Sequence, residues 1–354
     1  MYYETDFFIK YINISHYLRL KYLHLKPKIV KPFLSKLKFH LGFDPIIEKC
    51  SKYRNYISEP YKAVIMIYAD FELAWAWRYS KEIIGNKDEV RRIALREREN
   101  IPEILKLCER FDIPITWATV GHLFLEKCSK VNGIAHPEIK RTDYFENDYW
   151  IFNKGDWFDD DPCRNYNESP EWYCPDLIKN ITGSNVKHEI GCHTFSHIDC
   201  RDEVCSSEVF ESEINKCREL AEKNKIELKS FVHPGHTTGN LDNLFRLGFS
   251  SYRTDNGNIL GYPARHSSGL WEIKGTMELA YRKKWSVEFN IEFYKKIINR
   301  AIKNNSVCTF WFHPSFDNLF LTDIFPDILN YISEKRNDVF VTTAGEYINR
   351  LNNN

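Results

Sequence analysis

Short apolar runs alternate with amphipathic stretches along most of the chain. "KAVIMIYADFE" (62–72) is a continuous apolar run that ends in acids, which is typical of a buried parallel strand. The pattern predicts further strands at 113–121, 188–193, 228–235, 249–255, 306–314 and 338–348, and helices at 88–111, 203–224, 240–248, 288–304 and 323–335. Pro102 predicts a break or a new helix start, and another helix is expected to begin at 122–128. Such alternation indicates an α/β fold with a parallel sheet.

Acids and histidines that could act in catalysis or bind a metal recur directly after the predicted strands. This layout is typical of a barrel whose site lies at the carboxyl ends of its strands. We therefore expect a barrel domain over residues 61–350, preceded by a basic N-terminal extension over residues 1–60. Residues 132–176 are irregular and rich in Asp, Trp, Tyr and Pro, and we interpret them as an insertion over the site.

Charge changes this picture at two places. The formal net charge is zero, which argues against a general nucleic-acid binder. Eight Lys or Arg residues and no acid lie between Lys10 and Lys38, interleaved with large apolar residues. This segment either packs on the barrel, for example against the acidic insertion, or makes a peripheral contact with an anionic membrane.

The cellular compartment of the protein is predicted from sequence features that are missing. No run of 18 apolar residues exists, and the N-terminus has neither the basic start nor the apolar block of a signal peptide. The ten cysteines include no C-x-x-C pair, so we expect them to be reduced and mostly buried, Cys192 and Cys200 included. Together these features predict a cytoplasmic protein.

Two histidines four residues apart, His193 and His197, stand in "EIGCHTFSHIDC" (189–200). They lie on one face if the turn between them is helical, and could then bind one divalent ion; the alternative is two unrelated polar residues in a loop. The first strand supplies carboxylates: Asp70 and Glu72 are two apart, so both point to the same side of an extended chain. One could hold a metal while the other takes a proton from water. His313 ends a later strand and could protonate a leaving amine.

These motifs, "ADFE", "HTFSH", "FVHP" and "FHP" in that order, resemble the polysaccharide deacetylase superfamily, the NodB-homology or carbohydrate esterase family 4-like fold, over about residues 60–350. "DFELAW" and "WYCPDLI" are similar to its branch among bacterial surface-glycan biosynthesis deacetylases. The resemblance implies a distorted (β/α) barrel, a divalent metal that is usually zinc, and hydrolysis of an N-acyl or O-acyl group on a sugar.

Roles follow from the same resemblance. Asp70 matches the catalytic base, Glu72 the acidic metal ligand, His193 and His197 the two histidine ligands, and His313 the general acid. The ligand acid is usually Asp, so which of the two acids holds the metal stays open. The family's third motif usually carries an arginine, which steadies the base, where this chain has Val232. Either another group tunes the base, or activity is changed or lost.

Substrate contacts are expected from the insertion and from the third motif: Trp157, Asp159, Asp161, Tyr173, His233 and His236. Three function classes remain. The chain removes an N-acyl group, above all N-acetyl, from a nucleotide-linked, lipid-linked or polymeric sugar in surface-polysaccharide biosynthesis; or it cuts another C–N bond, such as a ring amide; or it is an inactive sugar-binding relic.

Overall fold

The structure is a computed structural model that describes residues 45–255 and 258–353. The basic segment 10–38, and with it the predicted membrane contact, lies outside the described residues. The predicted boundary at residue 60 stays a prediction. Within the described residues, 46–47 form a short strand that pairs with 259–260.

Parallel strands form the centre of the domain. The strands are β1 Ile46–Ile47, β2 Ala63–Phe71, β3 Thr116–Thr119, β4 Phe145–Glu146, β5 Ile151–Phe152, β6 Glu189–Cys192, β7 Ser230–Val232, β8 Ser251–Thr254, β9 Ile259–Leu260, β10 Ala264–Arg265, β11 Trp271–Lys274, β12 Met277–Glu278, β13 Val307–Phe312 and β14 Val339–Val341. The main sheet has the order β10-β11-β8-β7-β6-β3-β2-β13-β12, with β14 also paired to β2. All its pairs are parallel except β10 with β11.

The sheet curls into the expected distorted barrel. Gly275 donates its N–H to the carbonyl of Thr254 on one side, and Thr276 donates to that of Thr309 on the other. Two neighbouring residues thus bond to β8, near one end of the sheet, and to β13, near the other end, which brings the two ends of the sheet together. All nine residues of β2 are buried, as its unbroken apolar run predicts for a strand covered on both faces. Its carboxyl end, where Asp70 and Glu72 lie, opens on the same edge as those of β3, β6 and β13.

Helices cover the outside of the sheet. They are α1 Ala74–Trp77, α2 Lys87–Phe111, α3 Pro175–Thr182, α4 Ser207–Lys223, α5 Leu241–Arg246, α6 Val287–Lys303, α7 Phe325–Glu334 and α8 Ala344–Asn353. The expected break at Pro102 is wrong, because α2 runs through it as one helix. A capping hydrogen bond from Glu89 N–H to the Asn86 side chain begins this helix, and Asp112 ends it in the left-handed region.

Three other local predictions need correction. A short 3₁₀ helix, Gly121–Phe124, stands where a longer helix was expected at 122–128. The stretch "LWEIKGTM" contributes β11 and β12 instead of irregular chain. The chain after β14 forms α8, although only a turn was expected. No helix in the described ranges is long and apolar enough to cross a membrane.

The insertion, residues 132–176, contains the small antiparallel pair β4–β5 and otherwise irregular chain. It nevertheless packs tightly on the barrel, because Trp150, Trp157 and Phe158 are at most 7% exposed. Isolated bridges join Ser80 to Trp150 and Lys127 to Asn165. The buried aromatic residues of this segment thus pack against the barrel.

Candidate active site

The carboxyl end of β2 brings two buried acids together. Asp70 and Glu72 are each 3% exposed, on the same side of the chain as their spacing predicts. Their surroundings differ. Glu72 faces histidines, whereas Asp70 faces an arginine. The two acids are therefore suited to different chemical roles.

Both motif histidines converge on one oxygen of Glu72. His193 Nε2 lies 2.8 Å and His197 Nε2 3.1 Å from Glu72 Oε1. His193 Nδ1 lies 2.7 Å from the carbonyl of Val232, which can only accept, so this nitrogen donates and Nε2 carries the lone pair. Burial alone would raise the pKa of Glu72, but the neighbouring histidines hold it well below its usual value. Burial lowers the pKa of His197 to about 4, which keeps its ring neutral and able to ligate.

The turn between the histidines is not helical, contrary to the simplest reading of their spacing. Thr194 and His197 both have positive φ, 58° and 62°, a region that L-residues rarely occupy. Ser196 is held in this turn by Glu213 of α4, which accepts from its N–H at 2.8 Å and from its hydroxyl at 2.6 Å. Trp157 of the insertion donates to Ser196 Oγ at 2.8 Å. Several elements therefore fix a strained turn that aims both rings at Glu72.

Arg253 on β8 provides the arginine that the third motif lacks. Its Nη1 and Nη2 donate to Asp70 Oδ1 and Oδ2 at 2.7 and 2.6 Å. Val232, which occupies the usual arginine position, is the register partner of Arg253 across the β7–β8 pair. Burial alone would raise the pKa of Asp70, but the guanidinium lowers it below the ordinary value. Of the two alternatives left open by the sequence, the structure favours a base tuned by another group.

His313 follows β13 and faces the same acids. Its Nε2 lies 3.6 Å from Glu72 Oε2, and its Nδ1 lies 3.7 Å from Glu278 Oε1. Burial lowers the pKa of His313, but Glu72, Glu278 and Asp70 outweigh it and raise the value to about 10. In the absence of a bound cation the ring is therefore an imidazolium, which can donate a proton.

The residues fit a divalent ion well. Glu72, His193 and His197 present one ligand atom each within 4.8 Å of one another. Glu72 Oε2 is buried and has no hydrogen-bond partner, so this carboxylate keeps unused acceptor capacity in a place where such capacity is costly. Two imidazoles and a carboxylate are a ligand set that zinc takes in open catalytic sites. Asp70 forms a second possible ligand group with Glu72 and His313, but it is less suited to ligation because Arg253 already donates one N–H to each of its oxygens.

Comparison with known proteins agrees with this geometry. A family profile described as Polysaccharide deacetylase matches residues 88–241, less than half of the chain but including both motif histidines. Residues 88–241 thus carry a polysaccharide deacetylase domain. The protein is accordingly a hydrolase of the carbohydrate deacetylase class. No curated protein sequence gives a significant match.

Solved structures share the deacetylase's fold at low identity. Two are candidate polysaccharide deacetylases. The one from Mycobacterium smegmatis has a TM-score of 0.58 at 12% identity, covering 88% of this chain and 96% of that one. The one from Pseudomonas aeruginosa PAO1 has a TM-score of 0.56 at 12% identity, covering 84% and 94%. The Puue allantoinase has a TM-score of 0.55 at 14% identity, covering 83% and 92%. At these identities the likeness concerns the fold alone.

Of the six expected substrate residues, His236 lies beside this centre. His236 follows β7, with its Nε2 3.7 Å from Asp255 Oδ2 and its ring 5.2 Å from that of Trp311. Burial, followed by the charge of Arg253, lowers the pKa of His236. Asp159 is exposed, and one of its oxygens accepts from Asp156 N–H at 2.8 Å.

Four of the expected residues are buried and bonded to other parts of the protein, so their placement does not support contact with a substrate. They are Trp157, Asp161, Tyr173 and His233. His233 is 1% exposed and its Nε2 lies 3.0 Å from the Gly239 carbonyl. Trp157 is 3% exposed and bonded to Ser196. Tyr173 is fully buried and donates to Asp161 at 2.8 Å, inside a separate cluster of histidines. A composition-based reading could not separate such anchors from sugar-binding residues.

Sequence reasoning missed several residues of the deacetylase site besides Arg253. Glu97 of α2 is 1% exposed and accepts the N–H of Glu72 at 2.9 Å. Burial, reinforced by the charge of Glu72, raises the pKa of Glu97 to about 8. The rings of Trp77 and Trp311 lie 5.9 and 5.6 Å from that of His313. Two signals were available: Trp77 follows the "ADFELAW" segment and Trp311 precedes "FHP" by one residue.

Proposed function

We propose that this deacetylase is metal-dependent and removes an N-acyl group, above all N-acetyl, from a sugar during surface-polysaccharide biosynthesis. The observation that carries the proposal is the convergence of His193, His197 and Glu72 on one point, beside an Asp70 that Arg253 keeps ionised. The ligand set favours zinc. A cytoplasmic location and the carrier of the sugar belong to the proposal on sequence grounds alone.

Each residue has a role that its surroundings support. Glu72, His193 and His197 would hold the ion. A divalent ion in such a site polarises an acyl carbonyl and lowers the pKa of water. Arg253 occupies one lone pair on each oxygen of Asp70, so the carboxylate can still accept a proton from the attacking water through a remaining lone pair. His313 can return a proton to the leaving nitrogen, and Glu278 holds its Nδ1 side.

The division of labour between the two acids gives the sharpest test of this assignment. A base can be lost without losing the ion, whereas a ligand cannot. We expect Asp70→Asn to keep the metal but lose turnover, and Glu72→Gln to weaken metal binding. His193→Ala is expected to remove this ion and most of the activity. The opposite pattern in the two acids would exchange their roles.

The reaction itself is tested by product release. Metal-loaded protein is incubated with N-acetylated and N-formylated amino sugars in free, nucleotide-linked and lipid-linked form, and acetate or formate is measured. Release that depends on metal and on Asp70 supports the proposal. Opening of a ring amide with neither acid released would favour an amidohydrolase. A metal-loaded protein that releases nothing from any of these substrates would favour a sugar-binding relic.

A further inference from the structure

A second group of ligand-type side chains lies behind the histidine motif. It consists of His122, Cys128, His136 and Asp161, whose ligand atoms all lie within 4.8 Å of one another; we call it the insertion cluster. Phe195, which lies between the motif histidines, separates it from them, with its ring 5.4 Å from that of His122 and 5.2 Å from that of His136. We propose that the insertion cluster binds a structural zinc ion that ties the insertion to the barrel.

The spacing of the ligand atoms suits tetrahedral coordination. Asp161 Oδ2 lies 3.0 Å from His122 Nε2, 2.8 Å from His136 Nε2 and 3.4 Å from Cys128 Sγ, and the two Nε2 atoms are 3.1 Å apart. A tetrahedral zinc ion with ordinary bond lengths sets neighbouring N and O ligands about 3.3 Å apart and an O–S pair about 3.5 Å apart. Movements of a few tenths of an ångström would therefore complete the site.

Hydrogen bonding alone leaves a conflict in this cluster. His122 Nδ1 lies 3.2 Å from the carbonyl of Trp172, which can only accept, so Nδ1 carries the proton and Nε2 the lone pair. That lone pair faces the Asp161 carboxylate at 3.0 Å. A second proton would create an imidazolium on a ring that is 0% exposed, which is expensive. A cation removes the repulsion, and a ligating histidine usually donates its other nitrogen to a carbonyl in this way.

Asp161 is oriented as a monodentate ligand. Its Oδ1 accepts from the Tyr173 hydroxyl at 2.8 Å and from Cys163 N–H at 2.9 Å. These two bonds satisfy one oxygen and turn the other toward the two imidazoles and the thiol. Supporting contacts of this kind, which fix a ligand from outside, are typical of built metal sites.

An ion has a route into the cluster. Cys128 and His136 line a cavity of about 280 Å³ together with Lys127, Glu138 and Lys216. His122 and Asp161 are almost fully buried behind it. A thiolate, a carboxylate and two imidazoles form a closed four-ligand set, which is characteristic of structural rather than catalytic zinc.

The ion would connect the barrel to the insertion, which has far less regular secondary structure. His122 follows β3 directly, whereas His136 and Asp161 belong to the insertion, which has little regular structure. An ion bound by the folded chain alone adds its binding free energy to folding and fixes the insertion, whose Trp157 supports the turn between His193 and His197 through Ser196. The inference does not depend on the proposed catalytic metal.

Cobalt substitution distinguishes the two centres, because only the insertion cluster contains a thiolate, which gives Co²⁺ an intense near-ultraviolet charge-transfer band. Full-length protein is loaded with Co²⁺ under reducing conditions and dialysed. Bound cobalt per chain and the spectrum are then measured for the unmodified protein, Cys128→Ser, His136→Ala, His193→Ala and Cys50→Ser. Circular dichroism establishes that each variant is folded. Cys50→Ser is the matched control, because this half-buried cysteine packs against the hydrophobic cluster around Tyr262 and Tyr347 instead of the four ligands.

We expect two ions and a thiolate band in the unmodified protein. Cys128→Ser and His136→Ala each lose one ion, and Cys128→Ser also loses the band, whereas His193→Ala keeps the band and one ion. A single ion with the band, unaffected by His193→Ala, would support this site and count against the catalytic metal. Absence of the band from the unmodified protein overturns the inference, as does an undiminished band in Cys128→Ser. If one of the two variants does not fold, the other decides.

Discussion

Replacing Arg253 with Met tests how the proposed base, Asp70, is tuned. The change removes the guanidinium but keeps an unbranched apolar side chain of similar reach. Asp70 then stays buried, at 3% exposure, without its cation. Two charges about 4 Å apart at an effective dielectric constant near 20 attract by about 4 kcal/mol, so the substitution removes an attraction of that order from the carboxylate.

The expected result is a change in pH dependence rather than a uniform loss. In the unmodified protein the pKa of Asp70 is lowered, so the acid limb of kcat/KM lies at low pH. In Arg253→Met, burial is opposed only by His193 and His313, so we expect the pKa of Asp70 to rise and the acid limb to move to higher pH. The measurement is kcat/KM for deacetylation across the pH range in which both proteins stay folded.

Stability provides an independent readout with a defined sign. Asp70 has a lowered pKa when folded, so the pair stabilises the fold above the unfolded pKa of the carboxyl group, and this contribution is lost as pH falls through the folded pKa. Breaking a buried pair by removing one partner costs about 3–5 kcal/mol. The difference in unfolding free energy between the two proteins should therefore be greatest near neutral pH and shrink in acid.

Two controls separate charge from packing. The double variant Asp70→Asn/Arg253→Met should recover much of the lost stability but no activity, because it removes both charges. Arg265→Met, an exposed arginine on β10, should change neither measurement. An unchanged acid limb in Arg253→Met, accompanied by lower activity, would refute the idea that Arg253 controls the ionisation of Asp70.

Further predictions concern the neighbours of the two acids. Glu278→Gln should lower the pKa of His313, which is about 10 in metal-free protein, and move the alkaline limb of kcat/KM to lower pH; an unmoved limb would contradict a role for His313 as the acid. Glu97 has a pKa of about 8 against 4.5, so the metal-free fold loses on the order of 5 kcal/mol of stability as pH rises between these values; Glu97→Gln should abolish that slope in denaturant titrations. Trp157→Phe, which deletes the bond to Ser196, should cost about 1 kcal/mol in unfolding free energy and weaken metal retention, and an unaltered metal affinity would show that the motif turn does not need this bond.

Periodicity and spacing could predict much of this molecule because they are local. The unbroken apolar run of β2 predicts a buried parallel strand, and the D-x-E spacing places Asp70 and Glu72 on one side. The H-x₃-H spacing predicts convergence on one ligand point even though the turn is strained and not helical. Helix boundaries were harder to predict from the sequence. Pro102 shows why, because packing of α2 on the barrel outweighs the local cost of a proline.

Arg253 could not be predicted because its role depends on strand pairing. The residue stands 183 positions after Asp70 in the sequence, and nothing near it resembles a motif. Only the register between β7 and β8 places it beside Val232. From there its side chain reaches the carboxylate that an arginine at position 232 would serve. The same chemical requirement is thus met from the adjacent strand, so a missing motif residue does not by itself indicate lost activity.

The insertion changes where substrate specificity should be sought. Its most conspicuous aromatic residues are anchors: Trp150 stands 4.8 Å from the ring of His197, and Trp157 is bonded to Ser196. A Cβ atom on Gly235 would lie 2.3 Å from Trp150, so the insertion rests on the bare backbone of the third motif. Among the aromatic residues that it leaves exposed, Tyr149 is 53% accessible and lies 6.3 Å from the His236 ring. We therefore expect sugar contacts of the insertion, under the proposed function, at this outer edge, while its buried part packs around the histidine motif.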